Sequence, residues 1–83
     1  MILVVYGNNT CHQVASTRRI LGALKVSYQY VDINDSEEGK KIVSHINNGN
    51  LSVPLIQFPS GDVLVEPTPT ALTRKLRDEH LIR

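Results

Sequence analysis

The sequence predicts an α/β fold in three layers, with helices over both faces of a mixed four-stranded sheet, and three features carry that prediction. Ile2-Leu3-Val4-Val5-Tyr6 is an unbroken apolar run rich in β-branched residues, as suits a strand covered on both faces. From His12 to about Leu24 the spacing changes: Val14, Thr17, Leu21 and Leu24 recur at the period of an amphipathic helix. Val53 to Phe58 and Val63 to Glu66 flank Pro59-Ser60-Gly61-Asp62, a turn of the length that closes an antiparallel hairpin.

The remaining elements follow in chain order. The first strand stops at Gly7-Asn8-Asn9, and Thr10 stands where an N-cap would satisfy the helix's free N–H groups, putting Cys11 at the first helical position. Arg18 and Arg19 then face outward. Val26 to Ile33 mixes Val, Tyr and Ile with Ser, Gln and Asp, the pattern of a second strand, and strand-helix-strand order favours parallel pairing. Asp35 with Glu38 forms a variant capping box for a second helix whose stripe is Ile42, Val43 and Ile46; Asn47-Asn48-Gly49 ends it. After the hairpin, Thr68 caps a third helix with Pro69 at its first position and Leu72 and Leu76 on its buried edge, running to about His80. The order is β-α-β-α-β-β-α, and the 83 residues read as a single domain, without linker or repeat.

Composition sets bounds on function. The chain is 41% apolar, within the range of folded domains, and its nine Lys and Arg against eight Asp and Glu leave a formal +1 with no basic block, so nucleic acid is not expected as a partner. Met1 to Val5 is far shorter than the roughly 20 residues of a membrane span, which points to a cytoplasmic protein. Nine Val, seven Ile and nine Leu with one Phe and no Trp make the core aliphatic. A single cysteine excludes an internal disulfide, and His12, His45 and His80 have no partners at metal-ligand spacing, so no metal is expected.

Cys11 is the sharpest chemical feature. A thiolate at the start of a helix faces unpaired N–H groups and the positive end of the helix dipole, which favour the ionised nucleophile; the alternative is a small buried cysteine. His12 is either a modulator of the sulfur or a passive surface residue. A phosphatase loop is excluded, because six residues, not five, separate Cys11 from Arg18. Pro54 heads an apparent internal strand, where a proline removes a ladder hydrogen bond, so Val53-Pro54 is either a cis bond that turns the Val53 backbone toward an extended substrate or an ordinary trans strand start. Arg18-Arg19 and Lys40-Lys41 read as solvated helix faces that could also help an anionic thiol to dock.

In these residues the chain resembles the glutaredoxin family, and within it the mycoredoxins and related small actinobacterial proteins. The likeness rests on Val5-Tyr6, the cysteine opening the first helix, Tyr30-Val31-Asp32-Ile33, Asn47-Asn48-Gly49-Asn50-Leu51-Ser52-Val53-Pro54, Phe58-Pro59-Ser60-Gly61-Asp62 and Glu66-Pro67-Thr68. The resemblance implies a thioredoxin-like fold, a cis Pro54, and Cys11 as the nucleophile toward mixed disulfides of a small thiol, glutathione or mycothiol, with no bound cofactor. It further implies a groove made by the Val53 backbone and Pro54, with Gln13, Ser52 and Thr68 as weaker contributors.

The departures are equally specific. The family's Cys-x-x-Cys is Cys11-His12-Gln13-Val14 here, so the resolving thiol is missing and only a monothiol cycle can be written. The aromatic before the cysteine is Thr10, and the lysine three residues before it is Asn8. The Cys-Gly-Phe-Ser of cluster-binding monothiol glutaredoxins is absent too, so no iron–sulfur cluster is expected. Two functions remain: a monothiol oxidoreductase acting on protein mixed disulfides, and a degenerate binding module that holds a protein or peptide beside Pro54. The expected assembly is a monomer, with a Cys11-linked dimer as a product of oxidation.

Overall fold

A computed structural model describes residues 2–82. Its elements are β1 (Leu3–Gly7), α1 (His12–Ala23), β2 (Tyr28–Asp32), α2 (Glu37–Ile46), β3 (Leu55–Gln57), β4 (Val63–Val65) and α3 (Pro69–Asp78). The four strands form one sheet in the order β2-β1-β3-β4. β1 and β2 run parallel across the α1 crossover, whereas β1–β3 and β3–β4 are antiparallel.

The alternation of side chains along β1 divides the core between the two faces. Leu3 and Val5 join Leu21 of α1, Ile56 and Phe58, and Leu72 and Leu76 of α3 in one buried cluster. Tyr6 on the opposite face packs with Ile33, Val43 of α2 and Leu55, with Val4, Val31, Ile42 and Ile46 around them. α1 and α3 therefore cover one face and α2 the other, the three-layer sandwich the sequence predicts.

Several boundaries differ from the sequence reading, each for a local reason. Asn8 Oδ1 accepts from both the backbone N–H and the hydroxyl of Thr10, at 2.9 and 2.8 Å, which turns that side chain away from the helix. Cys11, in extended conformation at φ −87 and ψ 124, is therefore the N-cap, one residue later than expected. At α2 the cap is Ser36, whose Oγ accepts from Gly39 N at 2.9 Å, and not Asp35. The Thr68 cap is as read: Oγ1 accepts from Ala71 N at 3.1 Å and Pro69 opens α3.

Helix endings and turns also shape the elements. Leu24 is the C-cap of α1 and 38% exposed, not part of the buried stripe. Lys25 takes a left-handed φ of 58 and Val26 N bonds back to Leu21 O, so β2 starts only at Tyr28. α2 ends in left-handed residues, Asn48 (φ 55) and Gly49 (φ 93), with Gly49 N donating to Ser44 O at 2.7 Å. In the hairpin, Gly61 supplies the φ of 97 that a side chain would strain.

Candidate functional site

The register gathers the candidate residues at one end of the sheet. Gly7 pairs with Asp32, Tyr6 with Leu55 and Leu55 with Val65, so the chain leaving β1, the chain entering β3 and the chain leaving β4 emerge side by side. Glu66 N donates to Pro54 O at 2.8 Å, tying the last two together, and Ile33 N donates to Gly7 O at 2.9 Å beside the first. The Cys11 turn, Val53-Pro54 and the segment from Glu66 to Thr68 thus share one rim, and the Val53–Pro54 peptide bond is cis.

Cys11 is half-buried in that rim. Its backbone is fixed, N–H donating to Asn8 O and C=O accepting from Ala15 N, both at 3.1 Å. No cap side chain accepts from the first turn of α1 and no acidic residue lies within that turn, so its N–H groups stay directed at the space in front of the helix. His12 and Gln13 are exposed, whereas Val14, in the place of a second cysteine, is buried at 2%. Gln13 and Thr68 line one cleft of about 220 Å³ between α1 and α3, with Thr17, Ile20, Pro67 and Leu72. A larger hollow of about 490 Å³ lies instead on α2, among Lys40, Lys41, His45 and Leu51.

Ser52 is occupied by its own loop. Its N–H and hydroxyl both donate to Asn50 Oδ1, at 2.9 and 2.6 Å, and Asn47 Nδ2 donates to its carbonyl at 3.5 Å. Its hydroxyl thereby shapes the approach to Val53. His45 and His80 are exposed on α2 and beyond α3. Among the described residues no three His, Cys, Asp or Glu side chains are gathered as a metal ion needs, and no helix is long and apolar enough to cross a membrane.

The sequence reading has Arg18 only as a solvated helix face that could help an anionic thiol to dock, and Tyr30 only within the Tyr30-Val31-Asp32-Ile33 motif; the structure joins the two beside the cysteine turn. Tyr30 Oη donates to Asn9 Oδ1 at 2.9 Å, and its ring lies against Gly7, where an added Cβ would meet Tyr30 Cε1 at 2.9 Å and Val14 Cγ1 at 2.6 Å. The Arg18 guanidinium stacks on that ring at 3.9 Å from its centroid, while its Nε donates to Tyr28 Oη at 3.2 Å. Burial first, then Asp32, hold the Tyr30 hydroxyl above its ordinary 10.0; Arg18 opposes them, and Cys11, within electrostatic reach, adds to the rise. A readable signal existed: Tyr28 and Tyr30 share one strand face, and Arg18 follows Cys11 by two helical turns.

Residues 3–61 match the glutaredoxin family model. The chain belongs to the glutaredoxin family. Curated relatives of this glutaredoxin include a Mycobacterium tuberculosis H37Rv protein named "putative glutaredoxin", 28% identical over 74 residues, 89% of this chain and 88% of that one. Among solved structures, the glutaredoxin of Archaeoglobus fulgidus superposes with a TM-score of 0.76 at 23% identity, over 93% of this chain and 88% of its own. A buckwheat glutaredoxin in complex with glutathione superposes with a TM-score of 0.67 at 20% identity, over 95% of this chain and 71% of that one. These likenesses make the three-layer fold thioredoxin-like.

Proposed function

We propose that this glutaredoxin is a monothiol thiol–disulfide oxidoreductase, acting as one domain over residues 1–83 in the cytoplasm and releasing a small thiol from protein mixed disulfides. What supports the reading is the rim itself: the half-exposed Cys11 at the donor-rich start of α1, with Val53-Pro54 and Thr68 on its β3 and β4 side. Cys11 is the nucleophile. Its thiolate attacks the small thiol's sulfur, one S–S bond forms as another breaks, and the substrate protein leaves as a thiolate that takes a proton from water. A second molecule of the small thiol then attacks the Cys11 adduct, releasing the symmetric disulfide and restoring Cys11. Val53 aligns the small thiol through its backbone, while Gln13 and Thr68 bound the adjoining cleft and Ser52 positions the loop. His12 is the modulator nearest the sulfur in sequence. The small thiol is glutathione or mycothiol, and no prosthetic group takes part.

The test is release of glutathione, or of mycothiol, from a one-cysteine peptide carrying it as a mixed disulfide, with the free thiol in excess. The native chain is expected to accelerate release from at least one, and Cys11→Ser to abolish the acceleration. No acceleration with either thiol refutes the proposal and leaves the binding module, to which Val14, Asn8 and Thr10 in place of the family's cysteine, lysine and aromatic then belong.

A further inference from the structure

We infer that Arg18, held on the Tyr28–Tyr30 platform, selects protein substrates that carry a carboxylate about two residues from the thiolated cysteine. This rests on the proposed exchange at Cys11 and names the protein half of its substrate. In the sheet order β2-β1-β3-β4 the cysteine follows β1, with Val53-Pro54 on one side and β2 on the other. A small thiol aligned along Val53 fills the β3 side, so the polypeptide it modifies must rest on the β2 side. That side presents Tyr30 and Tyr28 with Arg18 across them.

Arg18 is built as a receptor for a carboxylate. Stacking on Tyr30 and the Nε bond to Tyr28 Oη fix the plane of the guanidinium, so binding an anion orders little that is not already ordered. Among the described residues no carboxylate pairs with it; the ion pairs there are those of Lys75 with Asp62 and Glu79. Asp32, the nearest acidic residue on the same strand, accepts instead from Asn34 N at 2.8 Å. The terminal nitrogens of Arg18 therefore remain for a partner, in the bidentate geometry a carboxylate offers.

The reach fits as well. Seven residues at about 1.5 Å each put Arg18 about 10 Å along α1 from Cys11 and, at about 100° per residue, on nearly the same helix face. Its side chain leans toward the helix N-terminus, which shortens that gap. An extended peptide advances about 3.3 Å per residue, so an acidic side chain two residues from the modified cysteine closes the remainder.

The test uses three glutathione-modified peptides that differ only two residues from the cysteine, bearing Asp, Asn or Lys there, each exposed to excess protein in a single turnover. The native chain is expected to release the Asp peptide about fivefold faster than the Asn peptide, with the Lys peptide slowest, the scale of an exposed charge contact in fixed geometry. In Arg18→Gln the Asp/Asn ratio is expected to fall to about one, and in Arg18→Lys to lie between, since charge is kept while the stacked fork is lost. The preference should weaken as salt rises through the screening range. Equal native rates for all three peptides, or an Asp preference that survives in Arg18→Gln, overturn the assignment while leaving the exchange reading intact. No release from any of the three, whether they carry glutathione or mycothiol, overturns both.

Discussion

Gly7 is closely packed beneath the cysteine turn, and replacing it with alanine should unsettle both the fold and that turn. The new methyl would lie 2.6 Å from Val14 Cγ1 and 2.9 Å from Tyr30 Cε1, where ordinary contact needs about a further ångström. Neither neighbour yields easily: Val14 is buried against the core, and Tyr30 is held by Asn9 at one end and covered by Arg18. Overpacking of this kind costs about 1–3 kcal/mol. Displacing the Tyr30–Asn9 hydrogen bond adds about 1 kcal/mol, and the stiffer unfolded chain returns about 0.5 kcal/mol. A net loss of about 2.5 kcal/mol should lower Tm by roughly 10–20 °C in a domain of this size, measured by calorimetry alongside urea unfolding. Val14→Ala removes the methyl that clashes, so in the double variant the two costs should fall short of additivity by about 1 kcal/mol. A Gly7→Ala cost below about 0.5 kcal/mol, or strict additivity with Val14→Ala, would refute the packing argument.

Two further outcomes follow from the helix cap and the titrating groups. Thr68→Ala should cost about 1 kcal/mol by removing the acceptor for Ala71 N, while Thr68→Ser should largely retain stability; equal losses in the two variants, read by urea midpoints, would show that the hydroxyl is not what matters. Burial, with Glu38 second, raises Tyr6 above 10.0, and burial also leads the causes that raise Tyr30; hydrogen bonds to Asp62 and Glu79 raise Lys75 above 10.5. In each case the folded chain holds its proton more tightly than the unfolded one, so the contribution is complete below the ordinary value and is lost as pH climbs through the raised one. Urea midpoints should therefore fall as pH rises above about 10, and a rising profile there would contradict the sign.

Most of the fold was legible because its signals are local and redundant. Leu3 to Tyr6 lie in a strand covered on both faces, although Ile2, which opens the apolar run, is 48% exposed and precedes β1, and Thr68-Pro69 states a helix start in two adjacent residues. The displaced starts have a common cause, competition for a polar side chain. Asn8 takes the Thr10 hydroxyl that would have capped α1, and Ser36, not Asp35, reaches the N–H of a buried glycine. Sequence spacing names the candidates for a cap without deciding which bond forms. The site divides along the same line. Cys11, Tyr30, Val53, Pro54 and Thr68 all carry motif signals, but Tyr30 lies 19 residues beyond Cys11, and its place beside the cysteine turn comes from the parallel pairing of β2 with β1. Spacing puts Tyr28 and Tyr30 on one strand face and Arg18 two turns past Cys11, but the stacking of the arginine on the tyrosine is a tertiary contact.

The buried isopropyl group of Val14 has a kinetic consequence. A resolving thiol built into the same helix would meet the Cys11 adduct at a fixed, high effective concentration, and release would be first order in protein alone. With hydrocarbon there, every release in the proposed cycle waits for a collision with a thiol from solution. The lifetime of the adduct in that cycle is then set by the surrounding thiol pool, and the fraction of chains carrying it by the balance between that pool and the supply of mixed disulfides.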